Sequence, residues 1–240
     1  LSDKLFFINK VNVDLIVDFG CADGQMLNYI SKIKPNVRLI GYDIDEDMIN
    51  KSKQKYPNIY FTDNWDDVIN MINTSNCINP SILLSSVIHE VYSYSKSNKI
   101  KYFWNEQVFN NIFKYVIIRD MIPSTIFDKM NSIDINKIRD KSDKKYLNDF
   151  QNVWGNIDTS FRTMLHWLLK YKYIENWDRE LRENYLPITI EYFKKNWIPS
   201  NWKIIFEDHY TYDYIKKQIK NDFDINLNEP THLKMIIKRN

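Results

Sequence analysis

The stretch VDLIVDFGCADG, residues 13–24, decides the fold of this chain. It opens with an apolar run that ends at Val17, which is typical of a strand buried on both faces. Asp18 follows, then a loop with glycine at positions 20 and 24, and from Gln25 the apolar residues recur at helical spacing. The stretch therefore predicts a strand, a tight turn and a helix.

Glycine is scarce in this sequence, and its placement is informative. The chain has only four glycines, and two of them lie in this loop. Glycine is kept where a side chain is excluded, by a positive φ or by a ligand close to the backbone. The start of the following helix offers unpaired N–H groups and a positive dipole end. The loop therefore indicates a site for a ligand with carboxylate or hydroxyl groups.

The loop also carries a family resemblance. DFGCADG resembles motif I of the class I S-adenosylmethionine (SAM) dependent methyltransferases, usually written (D/E)xGxGxG. Asp18, Gly20 and Gly24 match this motif, and Ala22 replaces its middle glycine. The resemblance implies that SAM is the cofactor and that Asp18, Gly20, Cys21, Ala22 and Gly24 bind it. An ordinary strand-to-helix turn is the alternative, and a dinucleotide site fits less well because its fingerprint is G-x-G-x-x-G.

The rest of the chain predicts further strands and helices. After the first strand, strands are predicted over 37–45, 58–62, 81–91, 115–118, 201–208 and 231–238. The resemblance implies an α/β, Rossmann-like, seven-stranded mixed sheet flanked by helices, with strand order 3-2-1-4-5-7-6 and an antiparallel last strand. Helices are predicted over 124–130, parts of 133–153, 158–173 and 178–196. We divide the chain into a SAM-binding core, 1–123 and 200–240, and a helical insertion, 124–199, expected to recognise the substrate.

An acidic residue ends the second predicted strand. Asp43 lies 25 residues after Asp18, and an acid at this position can accept hydrogen bonds from both ribose hydroxyls, as at dinucleotide sites. It resembles the ribose-binding acid of the methyltransferases, and we assign Ile44 and Met48 beside it to the same cofactor site. The alternative for Asp43 is an N-cap of the next helix.

The loop after the third predicted strand holds three more cofactor candidates. In the family this loop contacts the adenine, so Asp63 or Asn64 is expected to bond the adenine amino group and Trp65 to flank the ring. A plain helix cap is the alternative for Asp63 or Asn64.

Polar residues cluster at the end of the fourth predicted strand, where ligands bind in open α/β sheets. The stretch resembles motif IV of small-molecule methyltransferases, and it lacks the (D/N)-P-P-(Y/F) motif of enzymes that methylate base or glutamine amino groups. We assign Ser86 to the cofactor site. His89 is the first candidate for a base or positioning group, and Glu90 is the second catalytic candidate. A hydrogen-bonded core histidine is the alternative for His89.

Two further residues are candidates for substrate binding. Arg119, at the end of the fifth predicted strand, can bind an acidic group of the acceptor or pair with Asp120 or Asp208. His209 follows the sixth predicted strand and is a second choice as base. Cys21 and Cys77 lack the spacing of metal ligands, so we expect no metal and two reduced thiols.

Composition narrows the class of protein. The net charge of +2 argues against a strongly electrostatic nucleic-acid surface. Apolar runs stay short of 18 residues and no signal peptide is visible, so we expect a cytoplasmic protein without a membrane partner. The chain begins at Leu1 rather than Met, which is typical of a trimmed N-terminus.

These observations predict a SAM-dependent methyltransferase that acts on a small or medium-sized acceptor. One alternative is an RNA or nucleotide acceptor, whose bases would stack on the tryptophans and tyrosines of the insertion. A second alternative is a SAM-binding module without catalysis, in which the insertion serves as an interface. The sequence does not predict an oligomeric state.

Overall fold

The computed structural model describes residues 2–124 and 134–240. Within that part of the chain the strands form a seven-stranded sheet in the order β3-β2-β1-β4-β5-β7-β6. The strands are β1 Leu15–Phe19, β2 Arg38–Tyr42, β3 Tyr60–Thr62, β4 Pro80–Ser85, β5 Tyr115–Asp120, β6 Trp202–Tyr210 and β7 His232–Arg239. Strands β1 to β5 run parallel to one another, and β7 is antiparallel to its two neighbours β5 and β6. The predicted α/β class, strand order and antiparallel last strand are confirmed.

Helices cover both faces of the sheet. The α-helices are α1 Gln25–Ile33, α2 Glu46–Lys55, α3 Trp65–Asn73, α4 Ile88–Tyr94, α5 Ser97–Tyr102, α6 Ile135–Lys141, α7 Lys144–Trp154, α8 Phe161–Lys170, α9 Trp177–Arg182, α10 Ile190–Asn196 and α11 Asp213–Phe223. Short 3₁₀ helices span Ser2–Leu5 and Ile174–Asn176, and a π-helix spans Phe103–Val108. The predicted helix 124–130 lies, apart from Ser124, outside the described residues. Among the described helices, none is long and apolar enough to cross a membrane.

Successive side chains of β1 point to opposite faces of the sheet and pack in two different cores. Val17 and Phe19 face the core that α3, the π-helix and α10 complete. Ile16 faces the opposite core, where α1, α2 and the N-terminal residues around Phe7 pack. Successive side chains of a strand point to opposite faces, so Asp18 lies on the same face as Ile16.

The helices between β5 and β6 divide between two apolar clusters. Helices α7 and α8 form a separate cluster, which Ile219 and Phe223 of α11 join. Helix α10 instead packs on the sheet, where Phe193 lies 5.0 Å from the ring of Trp104. The division of the chain into a core and an insertion at 124–199 stays a prediction.

Two strand ends differ from the prediction and move candidate residues. Strand β4 ends at Ser85, so His89 and Glu90 lie in the first turn of α4 rather than at a strand tip. Ser86 has φ +61°, which interrupts the strand, and the carboxylate of Asp120 accepts a 2.7 Å hydrogen bond from the N–H of Ile88 at the helix start. Strand β6 extends to Tyr210, so His209 lies within it.

The fold explains a third glycine and gives a stability prediction. A Cβ added at Gly41 would lie 2.3 Å from Cδ1 of Phe61 and 2.9 Å from Sγ of Cys21. Because overpacking a buried site forces side chains from their rotamers, we expect Gly41→Ala to lower the free energy of unfolding by about 1–3 kcal/mol. Urea unfolding measures this, and adding Phe61→Leu should recover part of the loss. Unchanged stability in Gly41→Ala would contradict this packing.

Candidate active site

The β1–α1 loop has the backbone that its sequence predicts. Gly20 and Gly24 have φ values of +78° and +74°, which favour glycine. A Cβ at Gly20 would lie 2.6 Å from Cγ2 of Val87, and one at Gly24 would lie 2.6 Å from Cζ of Phe61. The predicted positive φ is therefore confirmed, and the protein's own side chains exclude a larger residue at both positions.

Between these glycines the chain folds back on β2. The N–H groups of Gly20 and Cys21 donate to the carbonyl oxygen of Tyr42, at 2.8 and 3.0 Å. The Cys21 thiol is buried in the core below, where burial raises its pKa, so it does not line the open side of the loop. Ala22 is exposed with φ +46°, and its N–H donates to Oδ2 of Asp43 at 2.8 Å.

Asp43 connects the loop to the second strand. Its Oδ1 accepts from the N–H of Asp45 at 3.0 Å, and each carboxylate oxygen retains capacity for a further hydrogen bond. The N-cap of α2 is Asp45, whose carboxylate accepts from the N–H of Met48, so the capping alternative for Asp43 is wrong. Beside it, Ile44 is 83% exposed and Met48 is half-buried. Asp43 thus lies against the loop with an exposed apolar side chain next to it.

The residues after β3 separate into different roles. Asn64 caps α3, because its side chain accepts from the N–H of Asp66 at 3.0 Å. Asp63 is exposed. Trp65 is buried, with its ring 5.5 Å from Phe19 and 5.1 Å from Tyr42 between centroids. This placement favours a core role for Trp65 over contact with a ligand.

A row of unsatisfied polar atoms follows the carboxyl ends of three adjacent strands. The two carboxylate oxygens of Asp18, the hydroxyl of Ser85 and the Nε of Arg119 are buried and have no hydrogen-bond partner among the described residues. The pairing of β1 with β4 and of β4 with β5 places all three on one sheet face. Buried polar groups are nearly always paired, so this row indicates a place for a polar ligand.

The environment of Asp18 is strongly perturbed. Burial raises its pKa from 3.8 to about 7, although the positive charge of Lys4 acts in the opposite direction. An anion held there without a hydrogen bond is unfavourable. A ligand with a positively charged group would satisfy this carboxylate.

A histidine–aspartate pair lies on the other face. Nδ1 of His89 is 2.9 Å from Oδ1 of Asp120, and both residues are buried. Burial acts to lower the pKa of His89, but the Asp120 carboxylate outweighs it and raises the pKa above 6.5. The same interaction lowers the pKa of Asp120 against the effect of its own burial. Asp120 therefore binds His89, and the predicted alternative of an Arg119–Asp120 pair is wrong.

Residues of the segment between β5 and β6 cover this pair. The ring of Tyr185 makes a T-shaped contact with His89 at 5.6 Å between centroids. Glu90 pairs with Arg179 at 3.0 Å, and Arg179 also pairs with Glu183 at 2.8 Å. Burial raises the pKa of Glu90, although His89 and Arg179 act to lower it. Glu90 would therefore have to leave its ion pair with Arg179 to act in catalysis.

The remaining candidates lie apart from His89. His209 is on the edge strand β6, two strands beyond β5, and its Nε2 is 2.6 Å from Oε1 of Glu207. The Arg119 guanidinium donates to the hydroxyls of Ser86 and Tyr212 on the opposite sheet face from Asp120. Ser86 therefore lies with Arg119, and His209 lies apart from both the Arg119 group and the His89–Asp120 pair.

Several residues of these groups were missed in the sequence. They are Asp120 as the partner of His89, Ser85, and the groups around Arg119: Asp3, Tyr210, Tyr212 and Lys234. Only the polar residues at the ends of β4 and β5 gave a signal, because the other partners are distant in sequence. Within the described part of the chain, no cluster of three or more His, Cys, Asp or Glu side chains is arranged to hold a metal ion.

The comparisons with known proteins agree with this architecture. A SAM-dependent methyltransferase from Anabaena variabilis superposes with a TM-score of 0.54, at 15% sequence identity over 100% of this chain and 83% of that chain. This chain thus has the fold of the class I SAM-dependent methyltransferases. The plantazolicin methyltransferase BpumL, solved with SAH and a substrate analogue, aligns at 14% identity over 99% of this chain and 81% of its own, with a TM-score of 0.48.

In sequence, the chain is similar to 235L of Invertebrate iridescent virus 6, a protein described as a candidate methyltransferase. The two are 28% identical over 110 residues, a segment that spans 42% of this chain and 42% of the viral protein. No protein-family model matches the chain.

Proposed function

We propose that this chain binds SAM and catalyses transfer of its methyl group to a small or medium-sized acceptor. The observation that carries the proposal is the buried Asp18 carboxylate, whose two oxygens are unpartnered among the described residues, at the carboxyl end of β1 in a class I methyltransferase fold. Ligands bind at this edge of open α/β sheets. The partial similarity to the viral protein points to the same activity.

The residues of this edge fit the groups that SAM carries. Asp18 would accept the ammonium group, which removes its unfavourable isolation. Asp43 keeps lone pairs for the ribose hydroxyls while its present bonds fix its orientation. Ile44 offers an exposed apolar side chain beside the adenine, and Asp63 an exposed carboxylate for the adenine amino group. SAM supplies a methyl group on a sulfonium, so the chain itself has to orient the acceptor and exclude water.

We assign His89 the role of base toward the acceptor. Asp120 holds Nδ1 of the ring, which fixes the tautomer so that Nε2 takes the proton. The raised pKa makes the neutral ring a stronger base, and it is the neutral form that accepts a proton. This buried pair favours an enzyme over a SAM-binding module without catalysis.

The burial of the four tryptophans between β5 and β6 bears on whether the acceptor is RNA. Trp167 and Trp177 are buried and Trp154 is partly buried in the cluster around α8, while Trp197 packs on the sheet. None of the four offers a fully exposed ring for base stacking, so the tryptophans do not support the RNA alternative. Of the tyrosines on which it also rested, Tyr173 and Tyr192 are about half exposed. The near-neutral charge argues against that alternative. We also propose a reducing, cytoplasmic setting, because both cysteines are free.

A calorimetric titration of SAM and SAH tests the cofactor site. We expect micromolar binding, and we expect Asp43→Ala to weaken it at least tenfold, about 1.4 kcal/mol, because the ribose loses its acceptor. Asp140→Ala, an exposed acid on α6, is the matched control and should bind as the wild type does. Absence of SAM and SAH binding to the wild-type chain would refute the proposed function.

A further inference from the structure

Two cations face each other near the unsatisfied row. Arg119 of β5 and Lys234 of β7 are register partners in an antiparallel pair, so their side chains emerge side by side on one face. Like charges directly opposite each other across two strands are destabilising. Both side chains are largely buried, at 9% and 14% exposure. This pair therefore requires an anion between its members.

In the structure that anion is Asp3, from the N-terminal 3₁₀ helix. Its Oδ1 pairs with Nζ of Lys234, and its Oδ2 lies 3.5 Å from Nε of Arg119. The hydroxyls of Tyr210 and Tyr212 both donate to Oδ2, the first at 2.8 Å. We call Arg119, Tyr210, Tyr212 and Lys234 the carboxylate cradle.

Strand β6 and hydrogen bonds hold the cradle residues in place, and Asp3 does not satisfy them fully. Tyr210 ends β6, Tyr212 follows it closely, and Arg119 is held by its bonds to Ser86 and Tyr212. The Nε of Arg119 has no hydrogen bond within the described chain although Asp3 is near. A guanidinium binds a carboxylate best through two parallel N–H groups. A carboxylate not tethered to the chain can approach Arg119 in that way.

The position of the cradle matches an acceptor site. It lies at the carboxyl ends of β5 and β6, beyond Asp18 and Ser85 on the same face of the sheet. Asp3 is the only acid paired with it among the described residues, so two cations share one carboxylate. The Asp3 side chain is itself 27% exposed, so the site opens to solvent once Asp3 leaves.

We propose that the carboxylate cradle binds a carboxylate of the small molecule that accepts the methyl group, and that Asp3 occupies the cradle until this molecule displaces it. This inference rests on the proposed function. It gives the acceptor a chemical class, a small acid, and it makes the N-terminal segment an internal competitor. A tethered group of this kind acts at an effective concentration of about the millimolar order or above, so its removal should expose the site.

Acetate, which has the chemistry of the Asp3 side chain, tests the cradle, with acetamide as the uncharged control. In Asp3→Ala saturated with SAH, acetate should raise the melting temperature in a saturable way, with a half-saturation at least tenfold lower than in the wild type. Acetamide should have no such effect, and Arg119→Met added to Asp3→Ala should remove it. Asp3→Asn, which keeps the shape of the side chain, replaces Asp3→Ala if the latter does not fold.

Four outcomes would overturn the inference. The first is an equal response to acetate and acetamide, and the second is a response that survives Arg119→Met. The third combines two results: acetate competes with SAH, and Arg119→Met binds SAH at least tenfold more weakly. Together they would show that the cradle binds the carboxylate of the cofactor. The fourth is SAH binding without an acetate response, which would leave the proposed function intact. If the wild-type chain binds neither SAM nor SAH and acetate still stabilises Asp3→Ala, the proposed function is refuted instead.

Discussion

Asp18→Asn is expected to raise the melting temperature of the ligand-free protein at pH 8 and to weaken SAM binding at least tenfold. The rise in the pKa of Asp18 from 3.8 to about 7 corresponds to a destabilisation on the order of 4 kcal/mol when the group is ionised. The raised pKa of Asp18 determines how stability changes with pH. The unfolded chain releases this proton above 3.8 and the folded chain only near 7, so stability falls across that interval and stays low above it.

Asparagine removes the charge but keeps an unpaired amide, so it recovers part of this energy. A gain of about 1–2 kcal/mol corresponds to roughly 2–8 °C at this chain length. The loss of a charge-assisted hydrogen bond, about 1.5–3 kcal/mol, accounts for the weaker binding of the SAM ammonium group. Opposite effects on stability and affinity are the signature of a residue kept for its ligand.

Differential scanning calorimetry at pH 5 and pH 8, with calorimetric titration of SAM, measures both effects. The difference in melting temperature should be present at pH 8 and small at pH 5, where Asp18 is protonated in the folded protein. Asp140→Asn should change neither quantity. A variant that is less stable than the wild type at pH 8, or that binds SAM equally well, would contradict the role given to Asp18.

Asp120→Asn is expected to lower kcat about 10²–10⁴-fold, the range typical of losing general base catalysis or its orienting carboxylate. Two effects combine in this variant. Asparagine no longer fixes the tautomer of His89, and it removes the charge that raises the pKa of the ring. The remaining activity should therefore reach its acidic midpoint at a lower pH than in the wild type, where Asp120 raises the pKa of the ring.

Labelled-methyl transfer to acceptors found in a screen of metabolite pools measures kcat, and an NMR titration of the His89 ring measures its pKa without an acceptor. Because breaking a buried pair destabilises proteins by about 3–5 kcal/mol, the melting temperature must be checked, and His89→Gln provides a second variant that should lose activity. Asp208→Asn, an exposed acid on β6, is the control. An unchanged pH profile in Asp120→Asn would show that this pair is structural.

The sequence predicted most of the fold because the relevant signals are local. The apolar run that ends at Val17 and the switch to helical spacing at Gln25 are features of neighbouring residues. The positions of Gly20 and Gly24 followed from the backbone that a tight turn needs. The strand order came from resemblance to a family, and the structure confirms it.

Side-chain partners depended on the tertiary structure. In the sequence Asp120 is a possible partner of its neighbour Arg119. Alternate residues of a strand point to opposite faces, however, so Asp120 contacts His89 and Arg119 contacts Asp3. His89 appeared to end a strand, yet a positive φ at Ser86 and a cap from Asp120 begin a helix before it.

Periodicity thus determined which residues form strands and helices, and the motif determined where a cofactor site was expected. Partners such as Asp3 and Lys234, which are more than 200 residues apart in the chain, cannot be read from local spacing. The strand order places Lys234 beside Arg119, and packing of the N-terminal segment on the sheet brings Asp3 to them. The chemistry of the site was therefore decided by the sheet rather than by the segments that compose it.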